Sequence, residues 1–250
     1  MEKKYSEELV IPSYLVDFKQ RLRPAHFMAI AQEAATEGAL QIGMGFNDLA
    51  VHDLAWVLSR TKLVFNKVPV WKDKVTFETW HKGINSLFFI RDYQMKDSEG
   101  NILVNGTSSW ITLNTKERTM FPTADLSKYF DVTAQNTENA LEENCVKIPK
   151  LRNAELVASH SVKFSDVDFI GHANNTAYIV WAMDCLPEEL LQQYPDVVEI
   201  NFNKETRPGE TVDIYRIIKT DESGATIALF EGRVGDLPHF TARFTYKSKQ

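Results

Sequence analysis

The sequence predicts an α+β protein of two similar halves in tandem, each a long helix wrapped by an antiparallel sheet. Three observations predict it: a diverged internal repeat, one segment of helical periodicity in each half, and several strand-like apolar runs beside each of those segments.

The repeat shows in spacing. Val16-Asp17-Phe18, with His26 eight residues after Phe18, matches Val162-Lys163-Phe164, with His172 eight residues after Phe164, at an offset of 146 (172 minus 26). Phe65-Asn66-Lys67, with Asp73 and Val75 beyond, matches Phe202-Asn203-Lys204, with Glu210 and Val212 beyond, at an offset of 137 (202 minus 65). The second copy therefore reads as nine residues shorter between these points (146 minus 137). A third echo is the turn Asp97-Ser98-Glu99-Gly100 against Asp221-Glu222-Ser223-Gly224, each leading into an alternating run.

In the first half Pro24 suits an early helical position, and Phe27, Ile30, Ala31, Ala34 and Ile42 recur near a 3.6-residue period until Gly43 and Gly45 interrupt it. Strand-like runs follow at Val57–Phe65, Val75–Trp80, Leu87–Met95 and Ile102–Leu113. In the second half Asn174 or Asn175 can cap a helix carrying Tyr178, Trp181, Ala182 and Cys185, ended near Pro187. Its strands are expected at Val197–Phe202, Val212–Ile218, Thr226–Val234 and Phe240–Tyr246. A polar, Asn-rich stretch separates the two, so the halves are placed at 1–133 and 150–250 with a linker at 134–149.

Composition narrows the function classes. Of 250 residues 44% are hydrophobic, enough for a buried core, and the net charge of -6 argues against a nucleic-acid partner, since neutralising phosphates takes an excess of Lys and Arg. The residues from Met1 to Glu8 are polar, without the apolar stretch of a secretory signal, and no run approaches the roughly 20 apolar residues that span a bilayer. The two cysteines, Cys145 and Cys185, lack metal-ligand spacing, so neither a disulfide framework nor a zinc site nor another cofactor is expected, and a cytoplasmic setting fits.

Differences between the copies point to a site. At these offsets Asp166 and Asp168 replace Gln20 and Leu22, and Glu205 replaces Val68. A histidine with one carboxylate four residues before it and another from a strand end can do acid-base work, because imidazole titrates near neutral pH and carboxylates orient it. The same residues also fit a histidine that caps the helix and an aspartate that closes a turn. Gly171-His172-Ala173-Asn174-Asn175 sits where the second helix should start, so Gly171 and Asn174 are candidate oxyanion groups, although two asparagines can equally act as caps alone. A serine mechanism through Ser165 lacks the Gly-x-Ser-x-Gly turn, and Cys185 falls on the apolar stripe of its helix, so a directly activated water is preferred.

Together these residues resemble the acyl-acyl carrier protein thioesterases, hydrolases of a double hot-dog fold. The resemblance runs through Tyr5-Ser6-Glu7, Ser13-Tyr14, Trp56-Val57-Leu58-Ser59-Arg60, Arg91-Asp92 and Thr107-Ser108-Ser109-Trp110. It is most specific from Asp166-Val167-Asp168 through His172-Ala173-Asn174-Asn175 to Tyr178-Ile179 and Trp181, with Phe202-Asn203-Lys204-Glu205 after it. It implies a catalytic set of His172, Asp168 and Glu205. Two positions depart from it: Ile170 stands where the plant-type motif has asparagine, and Thr206 where it has a cysteine once taken for a nucleophile.

What the resemblance implies is a thioester hydrolase that frees a fatty acid from acyl carrier protein, with Glu205 and His172 deprotonating a water and Asp168 orienting the imidazole. It also implies an acyl chain in the first half along Phe27, Ile30, Ala31 and Ala34, residues that read equally well as core. Docking an acidic carrier on an acidic chain would need a local basic patch, for which Lys147, Lys150 and Arg152 or Arg21 and Arg23 are candidates. The alternatives are a coenzyme A thioesterase and a non-catalytic acyl-binding regulator; two fused halves fit either a monomer or a homodimer.

Overall fold

Pro24 presets the helical φ, and its missing N–H is no loss in a first turn. It starts helix α1 (Pro24–Leu40) in the computed structural model, which describes residues 4–248. The helix ends two residues before Ile42, and Gly43 follows at a φ of 68° that suits glycine. One face of α1 packs on strands β1 (Tyr5–Val10) and β3 (Lys74–Asn85). That face buries Phe27, Met28, Ala31, Ala34 and Ala35.

The first unit, Met1–Cys145, adds a short helix α2 (Phe46–Ala50) and strands β2 (Leu54–Phe65), β4 (Phe88–Asp97), β5 (Ile102–Asn114) and β6 (Thr119–Phe121). Its antiparallel strands run in the order β1-β3-β4-β5-β2, with β6 on β5. The second unit, Val146–Gln250, holds β7 (Glu155–Ser161), α3 (Asn175–Asp184), α4 (Glu188–Leu191), β8 (Val197–Phe202), β9 (Thr211–Thr220), β10 (Thr226–Val234) and β11 (Leu237–Tyr246). Its order is β7-β9-β10-β11-β8, the first unit's order repeated. Each unit is a hot-dog, and the chain is a tandem of two.

The shared topology corrects the register of the repeat. The bridge Val16↔Leu22 recurs as Val167↔Ala173, and the bond from Arg23 N–H to Leu15 O recurs from Asn174 N–H to Asp166 O. Both give an offset of 151 (167 minus 16, 174 minus 23), not 146. The offset of 137 holds, because Leu22 N–H meets Pro69 O at 2.8 Å and Ala173 N–H meets Thr206 O at 2.8 Å. His26 is thus no counterpart of His172: it lies inside α1, its Nδ1 2.8 Å from Leu15 O, while His172 precedes its helix.

The third echo is not a repeat position. Asp97–Gly100 joins β4 to β5, whereas Asp221–Gly224 joins β9 to β10, and both use the same turn bonds, from Gly N–H to Asp O at 3.0 Å. Like turn chemistry at unlike hairpins produced the match.

Strands β1, β6 and β7 are absent from the sequence-based expectation, β6 being only three residues long. β1 and β7 are polar, half-exposed edge strands, alternating in burial in β1 and broken by a register shift in β7, and only pairing with β3 and β9 marks them. The unit boundary falls within 134–149, yet this stretch is tied down rather than free. Ala140 N–H donates to the Asp92 carboxylate at 2.8 Å, Trp80 Nε1 to Glu138 O at 2.9 Å, and Ile148 N–H to Asn201 Oδ1 at 2.7 Å.

Candidate active site

The site is built where a tight hairpin runs into α3. Asp168 N–H donates to His172 O at 2.9 Å and Gly171 N–H to Asp168 O at 3.0 Å, closing a loop whose Gly171 sits at a φ of 90°. A side chain at 171 would be strained there. Asn174 then caps α3, its side-chain oxygen accepting from Thr176 N–H at 2.9 Å.

A second segment comes alongside after β8, and the bond between Ala173 and Thr206 sets their neighbours face to face. His172 Nε2 lies 3.4 Å from Glu205 Oε2, with the two side chains 29% and 32% exposed. The other carboxylate oxygen, Oε1, takes a hydrogen bond from the Arg207 guanidinium. The pair is partly exposed, and an imidazole beside a carboxylate at this spacing is an arrangement able to do acid-base work.

The remaining expected residues fall as follows. Asp168 spends one carboxylate oxygen on Ile170 N–H at 2.9 Å, and among the described residues no hydrogen bond joins it to the His172 ring. The two residues are joined through the loop backbone, by Asp168 N–H to His172 O at 2.9 Å, not through a bond between side chains. Gly171 N–H and Asn174 N–H are both engaged, with Asp168 O and Asp166 O, so neither amide is aimed at a ligand. Asp166 pairs with His160 Nε2 at 2.8 Å. Burial pushes the Asp166 carboxyl up, but the bonds from His160, Lys163 N–H and the Trp181 indole outweigh it and hold the group below its usual range.

In the first unit Phe27 packs on Phe65 and Phe77 at ring distances of 5.8 and 5.5 Å, and Ala34 is wholly buried. Ile30 is half-buried. Ala31 lines a narrow cavity of about 10 Å³ with Met28, Leu58, Leu63, Tyr93 and Trp110. Of the basic candidates, Arg21 is taken by Asp17, 2.7 Å away, and Arg23 Nε donates to Val16 O at 2.9 Å. Arg207 was missed, as no spacing singles it out from other surface arginines. The buried partners of Thr206, namely Tyr178 and His239, were missed because the repeat was read in the wrong register.

Residues 2–126 match the family described as acyl-ACP (acyl carrier protein) thioesterase N-terminal domain, and residues 150–237 the one described as acyl-ACP thioesterase C-terminal domain. The chain is 25% identical over 247 residues to the chloroplastic oleoyl-acyl carrier protein thioesterase 1 of Arabidopsis thaliana, covering 92% of this chain and 68% of that one. It is 28% identical over 207 residues to a chloroplastic palmitoyl-acyl carrier protein thioesterase of Gossypium hirsutum, covering 76% and 49%. Two solved structures share the fold. The acyl-ACP thioesterase of Bacteroides thetaiotaomicron superposes with a TM-score of 0.81 at 21% identity, covering 98% of both chains. The 12:0-ACP thioesterase of Umbellularia californica superposes with a TM-score of 0.83 at 20% identity, covering 98% of this chain and 94% of that one. With both halves matched in order, the chain belongs to the acyl-ACP thioesterase family, a family of thioester hydrolases.

Proposed function

We propose that the chain hydrolyses fatty acyl thioesters of acyl carrier protein by direct attack of water, and that the reaction is run by the second unit. The observation that carries this is the contact of the His172 ring with the Glu205 carboxylate, at 3.4 Å on a partly exposed surface. A water held between them gives its proton to the pair as its oxygen attacks the thioester carbonyl carbon. The carbonyl oxygen becomes an oxyanion facing the first turn of α3, whose end carries partial positive charge. Collapse breaks the carbon–sulfur bond, the proton passes from the pair to the departing thiolate, and a free fatty acid and a carrier thiol remain. Asp168 keeps His172 in place by shaping the loop, and Arg207 holds one oxygen of Glu205 so that the other faces the ring.

The acyl chain belongs to the first unit on this reading, against α1 at Ala31, which lines the cavity, while the wholly buried Phe27 and Ala34 serve as core. Both cysteines are free thiols, as the reducing cytoplasm would keep them, and among the described residues no helix is long and apolar enough to cross a membrane.

The test is hydrolysis of matched acyl-ACP and acyl-coenzyme A substrates by the purified chain. Faster release from the carrier protein is expected, with losses of about 10²–10⁴-fold in His172→Ala and Glu205→Gln. Equal or better turnover of coenzyme A esters would reassign the carrier. Near-normal rates in both variants would reject the site.

A further inference from the structure

The corrected register pairs each residue around the site with a counterpart in the first unit, and three buried pairs differ in one way. Phe27 corresponds to Tyr178 (178 minus 27 is 151), Pro69 to Thr206 (206 minus 69 is 137), and Leu103 to His239. The backbone is the same at all three. Asn66 and Lys67 N–H donate to Leu103 O at 2.9 and 3.1 Å, as Asn203 and Lys204 N–H donate to His239 O at 2.8 and 3.1 Å. Even the ring packing repeats, with Phe27 on Phe65 at 5.8 Å and 72°, and Tyr178 on Phe202 at 5.7 Å and 69°.

Only the polar atoms are new, and they bond to one another. Thr206 N–H donates to Tyr178 Oη at 3.1 Å, and Thr206 Oγ1 lies 2.7 Å from His239 Nδ1. Tyr178, Thr206 and His239 are 3%, 0% and 1% exposed. Pro69 has no N–H and Phe27 no hydroxyl, so the first unit can make neither bond. Burying three polar side chains costs stability unless each is partnered, and an apolar trio serves the same fold one unit away. Folding alone therefore does not call for the polar trio.

Resting on the function proposed above, we propose that Tyr178, Thr206 and His239 are positioning residues for the reaction. Thr206 is the joint. Its N–H is held by α3, its carbonyl by Ala173 next to His172, and its side chain by β11, while Glu205 is the residue just before it. The network fixes the peptide that carries Glu205, and so fixes the 3.4 Å spacing to His172. Misplacement of a reacting group by an ångström can cost about 100-fold in rate.

The deciding comparison is between rate and stability. Thr206→Val and Tyr178→Phe keep shape and remove one bond each; Thr206→Ser keeps the hydroxyl. The double variant Thr206→Val with His239→Leu removes both partners, so no buried polar atom is orphaned. Expected are a kcat lowered about tenfold or more in Thr206→Val and Tyr178→Phe at unchanged KM, a near wild-type rate in Thr206→Ser, and a double variant whose melting temperature recovers while its kcat stays low. Recovery of kcat to within about threefold in the double variant would show a merely structural network and overturn the proposal. Glu205→Gln and His172→Ala are run beside these. If they are inactive while the double variant is active, this inference alone falls; if they are active, the functional reading falls and takes the inference with it.

Discussion

Asp92→Asn tests how the connecting segment is held, and its cost can be worked from the structure. The Asp92 side chain is 0% exposed, with one oxygen 2.9 Å from Lys82 Nζ and 2.8 Å from Ala140 N. Its other oxygen has no partner among the described residues. Removing one member of a buried ion pair costs about 3–5 kcal/mol, because the other charge is left in a poor solvent. Lys82 is 10% exposed and also donates to Leu141 O at 3.2 Å, so it can partly swing to water, which places the loss near the low end, about 3 kcal/mol. At about 2–4 °C per kcal/mol for a chain of this size, the melting temperature should drop by roughly 6–12 °C. Denaturant unfolding and calorimetry measure both, with Lys116→Ala as the contrast. Lys116 and Asp53 are 76% and 41% exposed, and loss of such a pair should cost about 0–1 kcal/mol. A loss below about 1 kcal/mol in Asp92→Asn would show that the carboxylate does not anchor the segment.

Ala31→Phe and Ala34→Phe separate pocket from core. The first should shift released fatty acids toward shorter chains, losing about 15-fold in kcat/KM for two methylenes at roughly 0.8 kcal/mol each; the second, at a wholly buried core position, should cost about 1–3 kcal/mol of stability with the same product profile. Equal profiles for both would remove Ala31 from the pocket. Gly232→Ala drives a Cβ into the Phe240 ring, in a cluster that includes Tyr178, and should destabilise by about 1–3 kcal/mol or more, read from denaturant midpoints. His81 carries the pH prediction. Burial, helped by the Arg91 charge, lowers its pKa below the usual 6.5. The unfolded chain therefore binds the extra proton first, so this stability is complete above pH 6.5 and declines below it, by up to about 1.4 kcal/mol per pH unit, until the native ring titrates. His239 shifts the same way, also from burial first. His81→Gln should flatten that decline; an unchanged slope from pH 7 to 5 would exclude His81 as a source.

The two long helices and eight of the strands are legible in the sequence because their signals are local: Pro24 at a helix start, Asn174 as a cap, alternation along Val75–Trp80; the short α2 and α4 are not. Strands β1 and β7 were not, since half-exposed edges such as Tyr5–Val10 carry as many polar as apolar residues. The 134–149 stretch contains the unit boundary, between Cys145 and Val146, but how it is held is not legible in the sequence. Its polarity reads as linker, but its backbone N–H and C=O groups satisfy buried side chains such as Asp92 and Asn201, which are far away in sequence. His172 and Glu205 could be named from chemistry; their meeting depends on the Ala173–Thr206 bond, which no spacing reveals.

The role of Asp168 turns on the corrected register, which changes what the first unit says about it. At an offset of 146 its counterpart was Leu22, and Asp168 looked like a carboxylate added for chemistry. At 151 its counterpart is Asp17, which accepts Lys19 N–H at 2.8 Å as Asp168 accepts Ile170 N–H at 2.9 Å. Turn closure is therefore common to both units, and what differs is the residue four positions on. In the first unit this is Arg21, locked to Asp17 at 2.7 Å; in the second it is His172, turned to Glu205 where the first unit has only Val68. An arginine that cannot give up its proton near neutral pH is no base, while an imidazole is. One inherited turn thus serves two ends, and its aspartate shapes the loop in each. On the function proposed above, the chemistry of the second unit would come from exchanging the partner that the turn presents, and from the carboxylate set 3.4 Å from it.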